Sequence, residues 1–448
     1  MKKYIFTAAL AAIIGFSSCS EDFLTIYPTA SQEAGGAATE GAILSNLASC
    51  YQILLFDSYA ANNYNSIVLM SDLRSDDIFK GGGDAGDQGQ LYRLSQLDAT
   101  PTELPSGLWS IYYSGISRCN NAILVCENAV DVPADRLKQY KGEAHFLRAY
   151  YLHWLWKFWG NIPYFEEDLP APYMARQYQA DEIYSEIIED LDSAIVDDKL
   201  PMRTTAANNG RVSKAAAYML KARVVMYQKD ISRYNEVLAN MVEIINSPEY
   251  GLVDDYGSIW LREGEFCKES IFESNQLPEG KTWAYAWQGY GTNLPAFLSP
   301  NNLSGHAPFK GGWGFGPVRP STYAIFEEGD TRRDASINVF PNGSYNPRFQ
   351  NTGMFLAKYA ARDGYNPPPG DVDLNYDNNL RLFRYAEALL NAAELMVIDG
   401  IAPVNGVTAQ FCLDEIRDRA NVDPVPATAE NIKLERRREF IGEGIRFW

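Results

Sequence analysis

From Ala134 to Trp159 the chain sets Leu147, Tyr151, Trp154 and Phe158 at successive steps of four, three and four residues, then runs into Gly160-Asn161-Ile162-Pro163. That spacing lays large apolar side chains along one stripe of an α-helix, and the Gly and Pro that follow cannot continue it. A second run, Leu108 to Val130, carries Trp109, Tyr112, Tyr113, Ile116, Ala122, Ile123 and Val125 on one broad stripe and ends at Val132-Pro133. A third opens at Asp181 and passes through Ile183, Tyr184, Ile187, Ile188, Leu191 and Ile195, with acidic residues at its start to complement the helix dipole. Ser213 suits the N-cap of a fourth, the alanine-rich Ala215 to Gln228, whose small side chains favour close helix packing. Helical pattern returns at Arg381 to Ile398, Ala409 to Arg419 and Glu430 to Phe440. Aromatic stripes at helical spacing are core packing before they are anything else.

These runs predict a mostly α chain of paired helices. The spacing of the pairs resembles tetratricopeptide-like hairpins, although no segment of sequence can be laid over another as a repeat. Between Gly251 and Pro369 the texture changes to Gly, Pro, Asn and aromatic residues with only short apolar runs, which predicts long ordered loops.

The N-terminus has its own logic. Met1, Lys2 and Lys3 precede an apolar stretch from Tyr4 to Phe16, then Ser17, Ser18 and Cys19. This is the layout of a secretory signal, and the stretch is shorter than the roughly 20 residues that cross a bilayer. Phe16-Ser17-Ser18-Cys19 resembles the bacterial lipobox, with Phe16 in place of Leu, so residues 1–18 read as a signal peptide and Cys19 as the lipidated residue. A lipidated cysteine with more than one acyl chain gives a stable tether. Ser20-Glu21-Asp22-Phe23-Leu24 resembles the acidic tag that sends lipoproteins of Bacteroidota to the outer face of the outer membrane.

A formal net charge of -18 over 448 residues argues against nucleic acid as a partner and against a basic patch that grips anionic lipid. Of six cysteines, setting Cys19 aside leaves Cys50, Cys119, Cys126, Cys267 and Cys412, an odd set that rules out a full disulfide framework. Cys119 and Cys126 sit two helical turns apart, about 10 Å, too far to bridge. They read as small buried apolar residues. His145, His153 and His306 are the only histidines, and none has zinc-ligand spacing, so neither a metal site nor a histidine-dependent nucleophile is expected and no cofactor is called for. Asp371-Val-Asp373-Leu-Asn375-Tyr-Asp377 starts like a calcium loop, but Tyr376 stands where glycine is needed and Leu382 where the bidentate Glu is needed.

A binder of neutral sugars needs exposed flat rings to stack on C–H faces and planar polar groups for the hydroxyl edges, and loops are where these are found. The densest cluster is Trp283-Ala-Tyr285-Ala-Trp287-Gln288-Gly-Tyr290-Gly-Thr-Asn293. It reads equally as a sugar platform or as a half-buried strand whose alternating rings face one side. In Gly311-Gly312-Trp313-Gly314-Phe315-Gly316-Pro317 the glycines leave Trp313 and Phe315 with little local cover, as a second ring site or a structural turn.

Several segments, in order, resemble the SusD/RagB family of lipoproteins over nearly the whole chain that follows Cys19. They include Trp109-Ser-Ile-Tyr112 through Asn120-Asn-Ala, then Gly142-Glu143-Ala-His-Phe-Leu-Arg148-Ala149-Tyr150-Tyr151 leading to Phe158-Trp159-Gly160-Asn161-Ile162-Pro163. Others are Gly210-Arg211-Val-Ser-Lys214, Arg384-Tyr385-Ala386-Glu387, Ile416-Arg417-Asp-Arg419 and Glu435-Arg436-Arg-Arg438-Glu439-Phe440-Ile-Gly-Glu443-Gly444-Ile-Arg446.

The resemblance implies a helical scaffold (about 40–250 and 381–446) with tetratricopeptide-like hairpins that support a loop-rich ligand-binding region (about 251–380), all within 19–448. It also implies a glycan-binding surface lipoprotein held over a SusC-like TonB-dependent transporter, with no catalysis. The loop Ser71-Asp72-Leu-Arg74-Ser-Asp76-Asp77 lies near where starch-binding relatives touch glucan hydroxyls, so Asp72, Arg74 and Asp77 are carried over as contacts, against the alternative of a solvated turn. The chain stops at Phe447-Trp448, where relatives usually continue, and reads as a fragment or truncated form. Two alternatives stay open: a peptide-binding branch of the same family, and a secreted glycoside hydrolase that needs only two carboxylates at a suitable separation.

Overall fold

The computed structural model describes residues 37–448 apart from 57–58, 61–62, 101, 168, 197–198, 279 and 285–290. Nine long helices carry the architecture: α1 Glu40–Gln52, α2 Ser106–Glu127, α3 Ala134–Trp159, α4 Ala180–Ile195, α5 Lys214–Gln228, α6 Tyr234–Ile245, α7 Tyr385–Val397, α8 Ala409–Arg419 and α9 Ala429–Phe440. Local chemistry sets their ends. Thr39, Ser213, Thr408 and Thr428 each cap a helix with a side-chain oxygen on a backbone N–H. In α4 the Glu182 carboxylate reaches back to the Gln179 N–H at 2.8 Å, half of a capping box. Gly160, at φ +71°, stops α3 as its sequence requires.

Each helix packs on the next: α1 on α2 and α3, α2 on α3, and so on through α6. The chain then leaves the array for well over a hundred residues and returns so that α7 packs on α6, with α8 and α9 both against α7. Flanked in this way, α3 is buried on most of its circumference, and Leu147, Tyr151, Trp154 and Phe158 are all interior. Each such side chain contributes roughly 1.5–3 kcal/mol by leaving water. Cys50, Cys119, Cys126 and Cys412 are buried and unbridged, and burial pushes the thiols of Cys126 and Cys412 up to about 12.

One helix expected from sequence begins later than its pattern. Residues Leu380–Arg384 form a strand, β2, antiparallel to β1 at Ser270–Ser274, with Phe272 opposite Phe383 and Glu273 opposite Arg381. Both strands are almost wholly buried, so their apolar residues carry no alternation that would separate them from the helix that starts at Tyr385.

The excursion is joined to the terminal helices by buried ion pairs. Arg384 meets Glu269, Glu439 and Glu443, Arg419 meets Glu269 and Glu439, and Arg332 meets Asp330, Glu435 and Glu439. Lys358 adds an ion pair to Glu443 at 2.6 Å. Burial alone would raise the Glu439 carboxyl, but the Arg419, Arg384 and Arg332 guanidiniums hold it well below the usual carboxylate range. Glu439→Gln leaves those arginines short of a charge in the interior, so it should cost on the order of 3–5 kcal/mol at neutral pH, read from urea midpoints. A depressed folded-state value means that this stabilisation is fully present above the unfolded value of about 4.3 and is lost as pH falls through the folded one. The gap between wild type and variant should therefore narrow as pH is lowered below about 4.

Candidate functional site

Two tryptophans from distant loops converge. Trp283 is fixed by its backbone N–H, which donates to Asp371 Oδ2 at 2.8 Å. Two residues earlier, Lys281 is clamped by Asn375, which accepts from the Lys281 N–H and donates to its carbonyl, both at 2.8 Å. The acidic run that starts like a calcium loop thus serves as the anchor of the Trp283 segment. Its other end, Asp377, is engaged by Arg262.

Trp313 is held as firmly. Its N–H donates to Ala296 O at 2.6 Å, and its carbonyl accepts from Arg348 Nη1 at 2.8 Å. Gly312 is required beside it, because a Cβ there would lie 2.2 Å from Ala296 O. Phe297, on the short helix Leu294–Leu298, is interior and backs the indole edge-on at 4.8 Å.

The Trp283 and Trp313 rings lie 6.0 Å apart between centroids and are tilted by 34°. Tyr64 stands steeply inclined to both, 6.4 Å from Trp283 and 5.7 Å from Trp313, so the three rings form a triangle. Trp283 is 39% exposed, and Trp313 and Tyr64 are half-buried, so the cluster presents ring surface to solvent on a packed base. Two tilted indoles and a tyrosine make a shallow aromatic cradle, the shape that stacks on the C–H faces of a pyranose chain that turns.

Polar groups stand at its rim. Arg348, which holds Trp313, also faces Asp87 at 3.8 Å, and both side chains are about one-third exposed, at 31% and 32%. Asp87 belongs to the loop opened by Gly81-Gly82-Gly83, and Gly82 N–H donates to Gly314 O at 2.8 Å. The glycines let that loop lie flat on the Trp313 turn, since a Cβ on Gly82 would strike the Phe315 ring at 2.6 Å. Beneath it, buried Lys80 donates to the carbonyls of Asp84 and Asp87. Among the described residues no group of three His, Cys, Asp or Glu side chains is placed to hold a metal ion.

The other sequence candidates fare differently. Tyr285, Trp287 and Tyr290 lie outside the described residues, as does Cys19. Asn293 is corrected from an exposed loop residue to a fully buried one at the start of the Leu294–Leu298 helix. Asp72 and Asp77 are also corrected from ligand contacts to interior groups. Asp72 accepts from the Gly444 N–H at 3.0 Å, and burial, with Asp77 nearby, raises its carboxyl well above the usual range. Asp77 binds Arg437 Nε at 2.7 Å and lies against Thr322. Arg74 stacks over Phe447 and Trp448 at 4.1 and 4.8 Å, rings that do not belong to the cradle. What the resemblance located was the neighbourhood, since the glycine tail of that loop reaches the Trp313 turn. Tyr64, Arg348 and Asp87 escaped the sequence reading, though an aromatic set among the asparagines of Asn62-Asn63-Tyr64-Asn65 is a loop signal of the same kind.

Comparison with known proteins adds a family pattern. A family model described as starch-binding, associating with the outer membrane, matches residues 58–226, and the SusD family model matches residues 331–448. Surface glycan-binding protein A from Bacteroides fluxus is 63% identical and superposes with a TM-score of 0.88, covering 92% of this chain and 88% of that one. The corresponding protein from Bacteroides thetaiotaomicron, solved with laminarihexaose, is 38% identical with a TM-score of 0.86, covering 92% and 89%. A laminarin-binding SusD-like protein is 28% identical with a TM-score of 0.82, covering 92% and 90%.

The burial of Asp77 predicts that Asp77→Ala removes the closer of the two carboxylates that pair with Arg437, leaving Asp76 at 3.4 Å, and lowers stability by about 1–3 kcal/mol in thermal unfolding. The folded variant should keep its glycan retention. Loss of retention at unchanged stability would restore Asp77 as a contact.

Proposed function

The chain belongs to the SusD family, and from that premise we propose that it is a non-enzymatic surface lipoprotein that captures a laminarin-type glucan and passes it to a SusC-like TonB-dependent transporter in the outer membrane. The observation that carries the ligand is the cradle of Trp283, Trp313 and Tyr64, in a chain akin to one solved with laminarihexaose. Rings tilted by 34° favour a glucan whose linkage turns successive sugars over a flat, ribbon-like chain that would want coplanar platforms. Arg348 and Asp87 at the rim supply charged donors and acceptors for sugar hydroxyls.

The same geometry supports a reading of binding without turnover. Stacking on one open surface holds a chain loosely, and a carrier that must release its cargo gains from many weak contacts more than from one tight pocket. The tether at Cys19 keeps the binder beside the membrane, and the net charge of -18 keeps it in solution above that surface. Tyr285, Trp287 and Tyr290 follow Trp283 in sequence and extend the same ring-rich segment.

In affinity gels loaded with laminarin, the chain beginning after Cys19 should be retarded and should release no reducing sugar. Trp283→Ala or Trp313→Ala should weaken binding by about 2 kcal/mol, roughly thirtyfold, which is the scale of a central aromatic contact. Reducing-sugar release would overturn the non-enzymatic reading. Retention of a peptide library with no glycan retained would favour the peptide-binding branch.

A further inference from the structure

A second cavity, of about 260 Å³, lies between α3, α5, α7 and α9 and shares no lining residue with the aromatic cradle. Its charge runs against the rest of this acidic chain: Lys157, Arg223, Lys433, Arg436, Arg437 and Arg446 line it, against only Glu387 and Glu394. Most of these cations are spoken for. Arg223 grips both Glu387 oxygens at 2.6 Å, Arg437 pairs with Asp77, and Arg446 with Asp76.

Lys157 is the buried exception. It is 8% exposed and makes no hydrogen bond or ion pair among the described residues, its ammonium lying among the rings of Trp154, Tyr227 and Trp448 at 5.3, 5.1 and 5.5 Å. The neighbouring indole N–H of Trp154 is buried without an acceptor. Exposed Lys433 makes no ion pair either, and adds a cation at the mouth. Two buried donors on side chains that line the same volume, with no acceptor supplied by the described residues, describe a site complementary to an acceptor that carries negative charge.

We propose that this cavity binds a carboxylate carried on an apolar or aromatic skeleton, with Lys157 as its counter-ion and Trp154 as a second donor. The remaining walls, Met226, Phe440 and Ile445 together with the rings around Lys157, match the skeleton and exclude a compact, heavily hydrated dianion. Burial, then the charge of Arg223, pushes the Lys157 ammonium down to about 7, and an arriving carboxylate would favour its charged form. The carboxylate can come from a free acid or from an acidic side chain of a polypeptide, and the two present the same group to Lys157.

An amine with so low a value is unusually reactive, which gives the test. The folded chain is treated briefly with acetic anhydride near neutral pH, and modification at Lys157 is followed by mass spectrometry with and without a competitor. Phenylacetate and N-acetyl-aspartyl-phenylalaninamide are the probes, with sulfate as the dianion control. Protection of Lys157 by either carboxylate but not by sulfate is the expected result. Protection by the peptide alone would assign the site to a polypeptide carboxylate.

Calorimetric binding of the protecting probe should weaken by about tenfold or more in Lys157→Met, as expected for one charge-assisted hydrogen bond. Because Met fills the same space without an unpaired charge, that variant should melt no lower than wild type, which separates lost binding from lost folding. Ready labelling of Lys157 that no carboxylate reduces, or equal protection by sulfate, would overturn the proposal. Laminarin retention in the same variant stays unchanged if the two sites are separate.

Discussion

Everything else in this fold leans on a set of charges held almost entirely out of water. Glu269, Asp330, Glu435, Glu439 and Glu443 face Arg332, Lys358, Arg384, Arg417 and Arg419, equal in number and nearly all buried. Taking one such ion from water to a dry interior costs on the order of 20 kcal/mol in the idealised limit, and only close, well-shared pairing offsets it. The geometry here shares each partner. Glu439 serves three arginines, and Arg384 serves three carboxylates. No member can leave without stranding others, so the segments that carry them must arrive together: the residue before β1, the Asp330–Arg332 turn, Lys358, the end of β2, and α8 and α9.

That arrangement is what lets long loops be precise. The cradle rests on irregular backbone, which has little order of its own, yet each ring is pinned by named bonds: Asp371 to Trp283, Ala296 and Arg348 to Trp313, and Phe297 beneath. Those anchors come from the same excursion that the buried charges clamp to the terminal helices. Rigid support under a shallow ring surface keeps the rings exposed when no ligand covers them, which a flexible loop would not do because its indoles would collapse onto one another.

The helices were legible because their information is local. A stripe of Leu147, Tyr151, Trp154 and Phe158 followed by Gly-Asn-Ile-Pro can be read from one stretch of chain, and the structure keeps Ala134–Trp159 as read. Trp283 and Trp313 were also legible as loop aromatics, because glycines and polar neighbours mark a ring that lacks local cover. Asp72, Asp77 and Asn293 misled for the opposite reason: a carboxylate or amide in a polar loop looks solvated until the partner that buries it is known. For Asp77 that partner is Arg437, and for Asp72 it is the N–H of Gly444, both hundreds of residues away in sequence.

The sequence by itself determined the helical scaffold, the Ser213 cap, the ring-rich loops, the acidic character, and membership of a family through motifs such as Glu435-Arg-Arg-Arg438-Glu439. These depend on periodicity, composition and local stereochemistry, which survive without a fold. Only the tertiary structure decided which rings meet, that Tyr64 joins them, that residues 380–384 are a strand, and that Lys157 lines a cavity with no ion-pair partner among the described residues. Each of those depends on burial and on pairings between residues far apart in the chain, where the cost of an unmet charge or a missing contact is set by three-dimensional neighbours that no local pattern encodes.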